Sequence, residues 1–229
     1  GEMGWKKKRI KEKKKSKLEE VIKIFWVFII ASIIGYIFEF IVVLFQKGYY
    51  ECRQGLIYGP FIPVYGIGAI VYYLFFYKIK TRNKLIVFLL SMILGGITEY
   101  LCSFVQEMVF GTISWDYSYL PFNVNGRTSL LHCTYWGIAG IMYIMWVEPL
   151  INKIGRVSEK KVTKLVTIIV ALFMLFNIVI SSVAMYRQTQ RLRNVQPQNK
   201  LDVFLDKYYP DEYLDKIYAN KKNVTIVDN

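Results

Sequence analysis

The chain has 229 residues, 54% of them hydrophobic and 21% charged, with 30 Lys and Arg against 17 Asp and Glu and a mean hydropathy of +0.29. This is too apolar for a disordered chain, and Cys52, Cys102 and Cys133 have neither the number nor the spacing of a disulfide scaffold or a cysteine-type zinc site. A net charge of +13 would suit nucleic acid if it were spread over a surface, but the basic residues fall in runs separated by apolar stretches long enough to cross a bilayer.

In chain order, residues 1–23 are a basic arm with ten Lys and Arg. The span 24–45 follows, with Glu39 as its one charge. Its length and the extended basic lead distinguish it from a cleaved signal peptide. After a segment rich in Gly, Pro and aromatics comes the short uncharged span 61–77, then the loop 78–84 with four basic residues and no acid. The span 85–106 carries Glu99, and the span 129–150 has His132 near one end and Glu148 near the other. A loop with five basic residues, 152–164, leads to the charge-free span 165–186. The segment 187–229 has a soluble character and contains two short amphipathic helices, 201–209 and 211–218, split by Pro210. Their apolar faces are expected to lie on the outer loops or the membrane surface.

The predicted architecture is therefore all-α and polytopic, with five transmembrane helices. Its parts are a basic N-terminal arm (1–23), a transmembrane domain (24–186) and a short extension (187–229). The three segments rich in Lys and Arg fall on one side, which the positive-inside rule makes the cytoplasm. The poor loops 46–60 and 111–128 then face out, as does the extension, although Arg187, Arg191 and Arg193 after the last span pull the other way. The N-terminal run sets orientation and also suits contact with anionic lipid.

The spans repeat. Residues 33–40 (IIGYIFEF) match 93–100 (ILGGITEY), and 66–72 (GIGAIVY) match 137–143 (GIAGIMY). The halves 24–77 and 85–150 thus read as two parallel two-helix repeats, with 165–186 as a fifth helix and a pseudo-symmetry axis along the membrane normal. Glu39 is residue 16 of its span and Glu99 residue 15 of its own, so both acids lie at one depth in the outer half of the bilayer. Each costs about 2.5–3.5 kcal/mol there on insertion scales, so both should face inward and be compensated. Arg53 and Arg127 in the outer loops offer compensation, and Glu107 and Asp116 add acids at the outer edge.

Loop 46–66 alternates glycines and prolines with aromatics, and is expected to fold back into the protein at membrane depth, where protein or water must satisfy its backbone. In loop 111–128, Trp115, Tyr117, Tyr119 and Phe122 suit an interfacial belt. Asn125-Gly126 signals a turn, and Asp116 and Arg127 could pair to close the loop.

The strings Gly55-Leu56-Ile57-Tyr58-Gly59-Pro60, Pro63-Val64-Tyr65-Gly66, Glu99-Tyr100, Trp115-Asp116-Tyr117, Pro121-Phe122-Asn123, Gly126-Arg127 and Trp136-Gly137 resemble the Putative ABC-transporter type IV family, CmpB-like integral membrane proteins. The resemblance covers about residues 24 to 186. Where the family has Asn-Arg-Gly, this chain has Arg53-Gln54-Gly55, so Gln54 stands in the family's Arg position. The resemblance implies a bacterial cell-membrane protein with several spans, and the family name implies a permease.

No GxxxxGK[ST], HExxH or GxSxG string occurs, so this chain has no nucleotide-binding P-loop, and a permease role would require a separate ATPase. The short cytoplasmic loops leave little surface for one. No cofactor and no metal site is expected. His132 is read first as a packed polar residue, with an acid–base role beside Glu99 or Asp116 as the sharper alternative. The expected binding residues are Glu39, Arg53, Tyr65, Glu99, Glu107, Trp115, Asp116, Asn123, Arg127 and His132. The leading function is a permease or permease subunit whose outward polar pocket suits a cationic solute or a coupling ion. A membrane-embedded enzyme acting on a lipid or envelope substrate is one alternative, and a non-catalytic membrane partner or sensor with a structural charge cluster is the other. Membrane lipids, an ATPase and further copies of the chain are the expected partners; nucleic acid is not.

Overall fold

The computed structural model describes residues 2–224, and the side chains of residues 17–224. The basic side chains up to residue 16 lie outside this range, as does Thr225, which completes a sequon at Asn223. Helices dominate: α1 (Glu2–Lys47), α2 (Pro63–Ile79), α3 (Lys84–Phe110), α4 (Leu130–Met142), α5 (Glu148–Arg156), α6 (Lys161–Leu192), α7 (Lys200–Tyr208) and α8 (Asp211–Ile217). Four segments are long and apolar enough to cross a membrane: Lys17–Lys47, Lys84–Phe110, Leu130–Arg156 and Lys161–Leu192. The apolar helix α2 has 17 residues, roughly 26 Å at 1.5 Å per residue, which is shorter than these. Four two-residue strands, β1 (Thr112–Ile113), β2 (Asn123–Val124), β3 (Thr128–Ser129) and β4 (Lys222–Asn223), form two small antiparallel pairs, β1 with β4 and β2 with β3.

Local chemistry sets the helix ends. Pro63 opens α2, where its missing N–H costs nothing. The Asn83 side chain caps α3 by accepting from the Leu85 and Ile86 amides, and Ser129 caps α4 by accepting from the His132 amide. A π-helical turn, Tyr143–Val147, joins α4 to α5. It has a direct cause in Pro149, which lacks an N–H and crowds the carbonyl four residues back; widening the turn relieves this without breaking the span.

The helices pack α1 on α2 and α3 on α4 through small residues, as expected where lipid offers no hydrophobic drive. Gly35 lies under the Tyr65 ring and Gly95 under the Trp136 ring, so close that a Cβ at either glycine would overlap the ring. Gly66 in turn fits against Phe28 and Ser32, and Gly137 against Phe88 and Met92. Tyr65 and Trp136 contact one another with ring centroids 5.6 Å apart, and Tyr72 and Tyr143 meet edge-on at 5.9 Å. The Tyr72 hydroxyl donates to the carbonyls of Trp136 (2.8 Å) and Ser91 (3.2 Å), linking α2 to α3 and α4.

Helix α6 lies against α1. Met174 packs with Ile29, and the Trp26 indole N–H donates to Thr167 Oγ1 at 3.0 Å. Its other face, with Leu165, Ile168, Ile169, Leu172 and Leu175, is exposed. A continuous apolar surface of this kind is foreign to water and suits hydrocarbon.

Residues 51–62 form neither helix nor strand, yet Leu56, Ile57, Phe61 and Ile62 are buried. Their backbone is satisfied by side chains from α6. The Tyr58 amide donates to Asn177 Oδ1 (3.1 Å), Asn177 Nδ2 donates to the Tyr58 carbonyl (2.6 Å), and the Ile57 amide donates to Ser181 Oγ (2.9 Å). Asn177 is fully buried halfway along α6. From the other side, the Ile62 amide donates to the Ser32 carbonyl of α1 at 3.2 Å. Gln54 closes the segment on itself, its amide donating to the Gly59 carbonyl at 2.8 Å and to Ile57 at 3.3 Å.

Beyond α6 the chain folds back as a clasp. Leu205, Tyr209, Leu214, Ile217 and Tyr218 of the α7–α8 region cluster with Ile180 and Ala184 of α6 and with Ile57. The two-residue strand β4 then pairs with β1 beside the end of α3. The predicted helices 201–209 and 211–218 correspond to α7 and α8, and their apolar residues meet loop 51–62. Arg187, 2% exposed, forks onto Asp206 with two 2.8 Å hydrogen bonds, and Arg191 binds Asp206 (2.7 Å), Asp211 and the Tyr209 carbonyl (3.0 Å). Two of the three arginines that follow the last span are therefore spent on acids of the clasp. They are not free charges of the kind that orient a protein in the membrane.

Two outcomes follow from this packing. Asn177→Leu leaves the Tyr58 amide and carbonyl unpaired, at about 1–3 kcal/mol for each orphaned group; thermal unfolding in detergent will show a clear drop in melting temperature. Arg187, followed by Arg191, holds the Asp206 carboxyl down to about 2. Because this lies below the ordinary value of 3.8, the stabilisation is complete above about pH 4 and is lost as pH falls through about 2. Limited proteolysis at decreasing pH will therefore cut 193–224 only below about pH 4, and Asp206→Asn will expose it at neutral pH.

Candidate functional site

Two acids from the long helices approach the loops at one end of the bundle. On α1, Glu39 accepts from Arg53 Nε at 3.0 Å and from the Tyr65 hydroxyl at 2.8 Å. Tyr65 can reach it because Pro63 starts α2 only two residues earlier and Gly35 leaves room for the ring. Arg53 also binds Glu51 at 3.2 Å. Lys47, bonded to Glu51 at 2.8 Å, holds that carboxyl below its usual range, with Arg53 adding to the effect.

On α3, Glu99 is 6% exposed. Its oxygens accept from the Tyr117 hydroxyl at 3.0 Å and from Thr128 Oγ1 at 2.9 Å. Among the described residues no Lys, Arg or His forms an ion pair with it. The two acids thus differ in kind. Glu39 is half-buried and countered by a guanidinium, whereas Glu99 is buried and held by neutral donors.

Arg127 makes its ion pair with Glu107 and donates to Ser103 Oγ at 3.0 Å, while its guanidinium lies over the rings of Tyr100 and Phe104. These contacts run along one face of α3 and fasten the 115–129 loop to it. Asp116 does not pair with Arg127. It accepts from the Ser118 amide (2.9 Å) and hydroxyl (2.5 Å), a local turn that keeps its carboxyl below the ordinary range.

The loop's other residues build its frame. The Trp115 indole donates to the Arg127 carbonyl at 2.8 Å. Asn123 donates to the Leu120 carbonyl at 2.8 Å and accepts from the Gly126 amide at 3.0 Å. Asn125 and Gly126 both take positive φ and make the tight turn between β2 and β3. His132 bonds Ser129 Oγ through Nδ1 at 2.8 Å and stacks on the Tyr117 ring, with centroids 3.6 Å apart. Ser129 is itself buried and serves as the α4 cap, so the pair has a structural use and no exposed nucleophile.

The structure therefore brings Glu39, Arg53 and Tyr65 into one group, and Arg127 with Glu107 into another. Trp115, Asp116, Asn123 and His132 shape the loop or support Tyr117. Sequence reasoning missed Tyr117, Thr128 and Ser103 as partners of these charges, and Asn177 and Ser181 as supports of segment 51–62. Asn177 had a signal, an amide inside a charge-free apolar span. Thr128 had none.

The exposed apolar faces, four crossing-length helices and inward-turned polar groups define a polytopic helical membrane protein. Residues 26–182 match the family described as Putative ABC-transporter type IV, and the chain belongs to that family of ABC-transporter-related membrane proteins. No curated protein and no solved structure matches it.

Arg127→Gln removes the charge that pins the 115–129 loop to α3, leaving Glu107 unpaired. Amide hydrogen exchange will quicken across 115–129, while α1, α2 and α6 keep their protection.

Proposed function

We propose that this protein is the membrane-embedded permease part of a transporter, binding a cationic solute at an outward-facing polar site that includes Glu39 and Glu99. One observation carries the reading: two acids at matching steps of α1 and α3, one neutralised by Arg53 and the other held by neutral donors, among them Tyr117 and Thr128. A buried carboxylate without a cation is costly in hydrocarbon, so Glu99 gains most from a positively charged ligand or a proton. Glu39 with Arg53 and Tyr65 forms the neighbouring wall.

The wider arrangement rests on the same kind of support. In this reading α2 crosses with the four longer segments, giving five spans, and 24–77 and 85–150 are duplicated halves. The matched pairs Gly35–Tyr65 and Gly95–Trp136, and Gly66–Phe28 and Gly137–Phe88, are what a duplication would preserve. Contacts between the corresponding rings, Tyr65 with Trp136 and Tyr72 with Tyr143, are what an axis between α2 and α4 would produce. In the same reading the N-terminus and the loops at 78–84 and 152–164 lie in the cytoplasm of a bacterial cell, with the clasp outside, and the Lys- and Arg-rich segments support this orientation. A separate ATPase supplies the energy, since the chain carries no P-loop.

The test is calorimetric titration of the purified chain with choline, methylammonium and spermidine. At least one should bind, and Glu99→Gln and Glu39→Gln should each weaken it about tenfold or more, at least about 1.4 kcal/mol, while each variant still unfolds cooperatively. Binding unaltered in both folded variants, or no binding of any of these cations by the native chain, overturns the cation site.

A further inference from the structure

At the opposite end of the bundle from the two acids, the π-helical turn and α5 border a cleft of about 490 Å³, lined by Arg82, Ile144, Glu148, Pro149, Asn152, Lys153 and Arg156. The charges in it are unevenly matched. Arg82 forks onto Glu148, at 2.6 and 3.0 Å, so these two cancel. Lys153 and Arg156 are exposed and, among the described residues, have no acidic partner. The cleft therefore holds two uncompensated cations and the Asn152 amide as a neutral donor. Its remaining wall, Ile144 and Pro149, is apolar.

The position of the cleft selects among anions. It sits where the segment Leu130–Arg156 ends, beside the loop between α2 and α3. Trp146, one turn before the charged face of α5, is 62% exposed, with Met145 and Leu150 exposed beside it. An exposed Trp next to lipid-facing apolar residues marks headgroup level. Ile151 and Gly155 turn the other face of α5 inward, and Gly155 fits against Lys23 and Glu19 of α1, which fixes α5 across the end of the bundle. Pro149 lines the cleft and stands in the first turn of the short helix that carries the cations.

From this placement we infer that the cleft binds the phosphate of an anionic glycerophospholipid. Lys153 and Arg156 meet the phosphodiester, Asn152 hydrogen-bonds the headgroup, and the first acyl carbons lie along Ile144 and Pro149. Basic clefts between helices at a membrane surface recognise such headgroups. The inference does not depend on what is bound near Glu39 and Glu99.

The experiment measures the melting temperature of the full chain in a non-ionic detergent, with added phosphatidylglycerol, phosphatidylcholine or inorganic phosphate. A ligand that binds only the folded state raises the melting temperature. Phosphatidylglycerol should raise it by several degrees, with little change from phosphatidylcholine or inorganic phosphate. Lys153→Gln with Arg156→Gln should remove at least half of that shift, whereas Lys160→Gln with Lys161→Gln, an equal loss of charge outside the cleft, should preserve it. Because Lys153 and Arg156 are exposed and, among the described residues, have no acidic partner, the double variant keeps its fold, which its melting temperature without lipid will verify. An equal response to both lipids, or equal loss in both double variants, overturns the site. A shift of the same size from inorganic phosphate makes the ligand a soluble anion and overturns the lipid assignment.

Discussion

The backbone of segment 51–62 must find partners inside the protein, and most of the architecture depends on how it does so. Burial takes backbone groups out of reach of water, so each buried amide and carbonyl there needs a protein group. Asn177 and Ser181 of α6, the Ser32 carbonyl of α1 and the Gln54 amide supply them. In doing so they dock α6 against the segment and hold the start of α2 close to α1. Tyr65 can then reach Glu39, and Arg53 lands on the same carboxylate. The polar group around Glu39 is in this sense a consequence of how an irregular loop is satisfied.

The same loop joins the bundle to its C-terminal clasp. Ile57 packs among Leu205, Leu214 and Ile217, and the Tyr58 and Tyr209 hydroxyls lie 2.8 Å apart. The clasp is therefore built on the side of the protein that carries both acids, and is tied to it again through the β1–β4 pair. Arg187 and Arg191 are the electrostatic half of this closure. Their partners Asp206 and Asp211 lie 15 to 20 positions later, so the chain neutralises its own juxtamembrane charge once it folds back.

Much of this was legible in the sequence because membrane spans are set by local composition. The long apolar runs, the Asn125-Gly126 turn and the two helices split by Pro210 all follow from a few adjacent residues. Partner choice was not legible in the same way. Arg127 and Asp116 looked like a pair, being eleven residues apart in one loop, yet Arg127 lies along α3 to Glu107 while Ser118 captures Asp116. Ser118 wins because it is two residues away and offers both an amide and a hydroxyl. Glu107 wins because the loop crosses α3 at its level.

By itself, then, the sequence determined a helical membrane protein of one family, its long apolar segments, the positions of Glu39 and Glu99 within two of them, and the gathering of its positive charge into runs between them. These depend on hydrophobicity, spacing and charge along a line. Only the tertiary structure decided that Glu99 is held by Tyr117 and Thr128 rather than by an arginine, that α6 supports segment 51–62, and that Lys153 and Arg156 line a cleft at the far end. Those depend on which side chains meet across helices, and the distance between them in space is unrelated to their distance along the chain.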